Sequence, residues 1–193
     1  MAIYERSEVG GALRQGEILT GIKLVKLDLD TVDTDKPRVG YEAHPLAIVL
    51  SQDCDLTQDW TARRNTADLD APYRQLPSVL FAQVHFAEGL RGRPKSMMNS
   101  RIWERVKDNK DERYHFLEKL PASQDALGEG LGELAIDFKL YFTIPTAEVY
   151  KRVESSARRR CRLRSPYLEH LSTRFCYYQF RVALPLAHQS QSS

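Results

Sequence analysis

Apolar and polar positions divide the chain into runs of strand length separated by breakers. After the turn-forming pair Gly10-Gly11, residues 16–27 alternate roughly between apolar and polar, which predicts a first strand. An acidic loop follows from Asp28 to about Ala43, with Pro37 and Gly40 as breakers. It delivers the chain to His44-Pro45 and to a fully apolar run that predicts a buried strand over 46–51. Residues 57–75 carry neither a helical nor a strand period, and Pro77 opens a third strand over 78–86.

The middle of the chain, 89–132, reads as an insertion. Gly89, Gly92 and Pro94 break the pattern, and Ser100 is placed to cap a short helix carrying Ile102, Trp103 and Val106. Residues 113–118 predict a returning strand, and Gly128, Gly130 and Gly132 mark a loop. Further strands are expected over 134–142 and 157–164, with one or two helical turns between them from Thr146. Ser165-Pro166 then opens a helix over 165–184 whose stripe is Leu168, Leu171, Phe175, Tyr178 and Val182. Residues 188–193 are polar and expected to be a disordered tail, so the pattern predicts one α+β domain over 1–187.

Composition changes this picture little. At 193 residues, 42% apolar and 28% charged, the chain fits a soluble globular protein, and it contains no run of membrane-spanning length. The N-terminus lacks the basic and apolar regions of a secretory signal, and three widely spaced cysteines suit a reducing compartment. A cytoplasmic protein is therefore expected, with no membrane association. Charge is more informative in its distribution than in its total of +2. Residues 28–59 sum to −6, whereas 151–181 sum to +7. Such poles point to an acidic partner for the C-terminal part, nucleic acid above all, or to docking of one half on the other or on a second copy as a homodimer.

Chemistry concentrates where the apolar strand ends in Ser51-Gln52-Asp53-Cys54-Asp55. A strand end that turns polar is a common place for function on a rigid frame. The two flanking aspartates disfavour a thiolate at Cys54, so it is a plain thiol unless His44, His170 or an arginine sits against it. Asp53 and Asp55 suit turn formation through side-chain to backbone bonds. No Cys-x-x-Cys or His-x-x-x-His spacing is present, and neither a metal site nor a cofactor is expected.

Two further constellations suit an anionic polymer. Strand period two sets Arg158, Arg160, Arg162 and Arg164 on one face of a basic strand edge, opposite Cys161 and Leu163. His170, Arg174, Tyr177 and Arg181 are spaced four, three and four, and would share a face of the last helix as a phosphate and base platform.

Residues 14–86 resemble the MazF/PemK type of small β-barrel toxins that cleave RNA. Gly16-Glu17-Ile18 is similar to the family's opening strand, His44-Pro45 stands where an Arg-Pro pair would, and Pro77-Ser78 is similar to its later hydroxyl. The C-terminal half is similar to uncharacterised bacterial proteins whose apolar strand ends in Ser-Gln-(Asp/Thr)-Cys-Asp. The resemblance implies a small, strongly bent β-barrel core and a bacterial conflict protein, of toxin–antitoxin or phage-defence type. It also implies RNA as ligand and metal-independent cleavage in which His44 and Ser78 would act, His44 as a proton donor or acceptor in place of a fixed cation. Binding without cleavage, a protein–protein adaptor or immunity-type partner encoded nearby, and a thiol enzyme built on Cys54 stand as alternatives.

Overall fold

The computed structural model describes residues 2–65, 67 and 69–180. Its strands are β1 (Tyr4–Arg6), β2 (Glu17–Leu27), β3 (Val39–Val49), β4 (Ser78–Phe86), β5 (Tyr114–Leu117), β6 (Leu134–Pro145) and β7 (Arg158–Leu163). Its helices are α1 (Asp53–Arg64), α2 (Ala87–Arg91), α3 (Ser100–Lys107), α4 (Thr146–Ser155) and α5 (Tyr167–Gln179). The seven strands form one antiparallel sheet in the order β1-β7-β2-β3-β4-β6-β5.

This sheet is open, which corrects the barrel expected from the resemblance. Closing a barrel requires a ladder between the first and last strands, and none joins β1 to β5 among the described residues. The sheet coils until the edges face each other across the 118–131 loop. The Tyr4 hydroxyl donates to the Glu118 carbonyl at 2.6 Å, and the Ala126 amide donates to the Arg160 carbonyl at 2.7 Å. Two register shifts drive the coiling. One passes from Ile18–Cys161 to Leu19–Arg159 and leaves Arg160 as an extra residue, and the other lies between Ala82 and Gln83 on β4.

One face of the sheet packs Ile18, Ile48, Ile136, Phe138 and Leu163 against Leu171 of α5, with Phe175 and Tyr178 alongside. The other packs Leu19, Val49 and Phe81 against Leu56 of α1 and Val149 of α4. A smaller cluster joins Leu90 of α2 and Trp103 and Val106 of α3 to Tyr114 of β5. The segment expected to be an insertion thus supplies an edge strand of the sheet.

Two stretches differ from their sequence pattern. Residues 53–64 form a helix although the only apolar residues are Leu56, Trp60, Ala62 and the terminal-turn Cys54. Its ends carry the signal that hydrophobicity lacks, with Asp53 and Asp55 in the first turn and Arg63 and Arg64 in the last, each favourable to the helix dipole. Residues 39–43, read as loop, belong to β3. α5 begins at Tyr167, after Ser165-Pro166, and its expected extension to 184 and the tail at 188–193 lie outside the described residues.

Candidate interaction sites

The three expected catalytic side chains do not converge. Cys54 is exposed on the first turn of α1, and its Sγ meets only Gln52 Oε1 at 3.6 Å and Asp55 Oδ1 at 3.5 Å. The cavity beside it continues along Thr57, Gln58 and Thr61 to Arg74, with neither His44 nor Ser78 in its walls. Ser78 opens β4 opposite Pro145. His44 is 5% exposed, stacks on Phe142 at 4.1 Å, and has no hydrogen-bond partner at either ring nitrogen. Burial, working against Glu42 at 3.9 Å, holds His44 below the ordinary histidine range and therefore neutral near pH 7. Asp53 and Asp55 share a helical turn instead of the two sides of a strand. Asp53 accepts the Gln15 amide and a two-pronged bond from Arg14, which outweigh its burial and keep its carboxyl below the usual range.

The basic row is dismantled by the fold. β7 lies between β1 and β2, so it is no sheet edge. Arg159 is buried and forks onto Glu17 at 2.6 and 2.8 Å while donating to the Gly11 and Ala12 carbonyls. Arg160, re-aimed by the bulge, forks onto Asp125 at 2.9 and 2.6 Å. Arg162 pairs with Glu5, and Arg164 reaches the same carboxylate at 3.8 Å. Arg158 alone of the predicted row meets no carboxylate among the described residues.

The expected platform on α5 is also divided. Arg174 turns inward, donating to Asn109 Oδ1 at 2.7 Å and to the Asp111 carbonyl, beside His115 Nδ1 at 3.4 Å. The His170 ring sits 5.2 Å from the His115 ring. These contacts clamp α5 to the turn before β5. Tyr177 is exposed, and Arg181 lies outside the described residues.

What the sequence pattern hides is an exposed apolar ribbon. β7 pairs β2 only over Glu17–Thr20, and β4 pairs β3 only over Ala47–Val49. Beyond Gly21, the two strands pair only with each other among the described residues, from Ile22–His44 to Leu27–Val39. Gly21 adopts φ +74°, and a Cβ there would lie 3.0 Å from the Ser156 carbonyl oxygen, so the bend at the ribbon's root requires glycine. Ile22 and Leu24 pack inward on one face. On the other face, Val25 opposes Tyr41 and Leu27 opposes Val39, with exposures of 42, 67, 52 and 52% respectively. The connecting loop, residues 28–38, carries Asp28, Asp30, Asp33 and Asp35 against Lys36 and Arg38. Alternation over Val39-Gly40-Tyr41-Glu42-Ala43 was the available signal for this strand.

A second surface outside the predicted sites is basic. Residues 89–101 carry Arg91, Arg93, Lys95 and Arg101 and no acid. The first three line a cavity of about 520 Å³ with Trp103 and Glu104 of α3, and none of them forms an ion pair among the described residues. Among the described residues no cluster of His, Cys, Asp or Glu could hold a metal ion, and no helix is long and apolar enough to cross a membrane.

The architecture and these surfaces define an α+β protein whose open antiparallel sheet extends into a two-stranded ribbon. No protein-family model matches the chain, and no curated protein matches it.

Proposed function

We propose that the protein is a non-catalytic docking module that engages a protein partner through the β2–β3 ribbon. The observation that carries this reading is the cross-strand quartet Val25, Leu27, Val39 and Tyr41, exposed on a ribbon whose two edges pair with no other strand among the described residues. An isolated two-stranded ribbon is marginal in water, and contiguous exposed apolar side chains mark interaction surfaces. Free edges let a partner strand add to the ladder, and the net charge of −2 on the 28–38 loop favours Lys and Arg beside that strand. The partner chemistry is thus a basic polypeptide with an apolar strand, whether encoded nearby or supplied by a second copy.

Sedimentation velocity of the purified chain at increasing concentration separates the second copy from another protein. A photo-crosslinking side chain at position 41 in the producing cell is expected to give one discrete adduct. The same side chain at exposed Arg101 should give none of it, and V25T/L27T/V39T should abolish it. A monomer whose position 41 yields no adduct, or the same adducts as position 101, overturns the reading.

RNA binding is the second reading, favoured by the cations Arg91, Arg93 and Lys95, which form no ion pair among the described residues, beside Trp103 and, at the level of its first strands, by the MazF/PemK resemblance. Polyanion binding through them predicts a salt-sensitive mobility shift of single-stranded RNA that R91A/R93A/K95A removes. A shift indifferent to salt and to these residues overturns it.

A further inference from the structure

A cavity of about 400 Å³ opens on the outer face of the sheet, where α1, α4 and the start of β7 meet the loops at 9–11 and 126–127. That volume lies in the range of small-molecule sites. Its walls are chiefly apolar and aromatic. Trp60 of α1 and Tyr150 of α4 bring their rings to 5.0 Å at 48°, and Val153 and Ala157 continue the surface. The Arg64 guanidinium lies over the Trp60 ring at 3.7 Å, which fixes the indole in place. At the rim Val9 is 90% exposed and Leu127 is 44% exposed, apolar groups that an occupant would cover.

Polar groups at the cavity are few. The Tyr150 hydroxyl is itself buried beside the Leu13 backbone, so this side chain gives its ring to the wall. Arg158 lines the same space, and its guanidinium reaches only the Ser155 and Ala157 carbonyls, at 3.5 and 3.3 Å. Its neighbours Arg159, Arg160 and Arg162 all hold carboxylates, so Arg158 is the cation of this row left for an outside anion. Glu154 is also in the lining and forms no ion pair among the described residues. It opposes a ligand of high negative charge and leaves room for one anionic group.

We infer that this cavity binds a planar aromatic molecule carrying a single anionic group, with its ring against Trp60 and Tyr150 and its anion on Arg158. The inference is independent of the ribbon. It is tested on the full chain with two fluorescent probes, the monoanion 8-anilinonaphthalene-1-sulfonate and the neutral N-phenyl-1-naphthylamine. One saturable site is expected, with the sulfonate bound at least fivefold tighter. R158Q should erase that preference while leaving the neutral probe within twofold, and R164Q should change neither. V153W, which fills the cavity, should lose both probes. E154Q should tighten the sulfonate at least twofold, and it decides the matter if V153W fails to unfold cooperatively. Absence of saturable binding, equal effects of R158Q and R164Q, an unchanged affinity in E154Q, or probe binding that survives V153W overturns the inference. The last of these outcomes would place the probe elsewhere, for instance on the ribbon.

Discussion

The two halves of β2 reverse the usual assignment of charge and apolar surface. In the root half, Glu17–Thr20, the strand has a neighbour on each side, and the adjoining β7 carries Arg159 and Arg160 into the interior onto Glu17 and Asp125. In the outer half, Ile22–Leu27, it has one neighbour, and Val25 and Leu27 stand in water. Within one strand the Glu17 carboxylate is inside while Val25 and Leu27 are outside. The lesson is that the number of strand neighbours, which hydropathy does not encode, decides which side chains are free to meet a partner.

The sharpest break of this contrast is at the root. Glu17 and Asp125 are buried, at 1 and 0% exposure, and each meets a buried arginine. Removing one member of a buried pair leaves an uncompensated charge and costs about 3–5 kcal/mol. E17A and D125A are therefore expected to lower the urea midpoint by most of the protein's stability, with D125A also releasing the loop whose Leu127, Glu129 and Gly130 amides the carboxylate accepts. Unfolding curves within about 0.5 kcal/mol of wild type would mean that these arginines are free after all. The pair replaced whole, D125L/R160M, should recover much of the loss.

pH sharpens the contrast next. Burial pushes His115 down to about 3, helped by the Arg174 cation and His170. A folded-state value below the unfolded one means that the unfolded chain takes up the proton first. His115 thus costs nothing above about pH 6.5 and lowers stability progressively as pH falls from there toward 3, at up to roughly 1.4 kcal/mol per pH unit. H115N is expected to flatten that slope between pH 6 and 4, read from urea midpoints. Carboxylates act lower. Burial raises Asp137, but His85 at 3.8 Å, Arg113 at 2.7 and 2.6 Å, and the Lys139 amide bring it below the usual range. Its contribution is present above about pH 4 and lost on further acidification, so D137N should be less stable at pH 7 yet lose less stability below pH 4. Identical slopes in wild type and variant would exclude either group as a determinant.

Much of the strand content was legible because the core strands are strongly apolar. Residues 78–86 and the run ending at Val49 announce themselves, and β4 matches its expected span. α1 was hidden because its buried side is only Leu56, Asp59 and Ala62, one of them a carboxylate that accepts the Leu76 amide and Arg63. Its cue was charge order at the ends. Closure of the sheet was not legible, because it depends on whether β1 and β5 meet, a relation between residues more than 100 positions apart. The arginine row failed for a local reason. Strand period two assumes an unbroken ladder, and the bulge inserts Arg160 as an extra residue, so neighbouring arginines turn to different carboxylates. The catalytic set failed because His44 lies beyond the bend at Gly21, where the ribbon turns it onto Phe142.

The smallest effect on stability belongs to the ribbon, and that is where the contrast gains meaning. Val25, Leu27, Val39 and Tyr41 are each more than two-fifths exposed, so V25T, L27T, V39T and Y41T remove little buried area and keep strand-forming side chains apart from the shortened Leu27. Each is expected to shift unfolding by no more than about 0.5 kcal/mol. G21A behaves differently, because a Cβ 3.0 Å from the Ser156 carbonyl and a φ of +74° strain the bend, and a loss of about 1 kcal/mol or more is expected. Hydrogen exchange then separates stability from docking. In the free protein the amides of 22–27 and 39–44 should exchange far faster than those of Glu17–Thr20, because one ladder protects them instead of two. Equal protection of both halves in the isolated monomer would show that the ribbon is held by the protein itself, and would remove the reason for a partner.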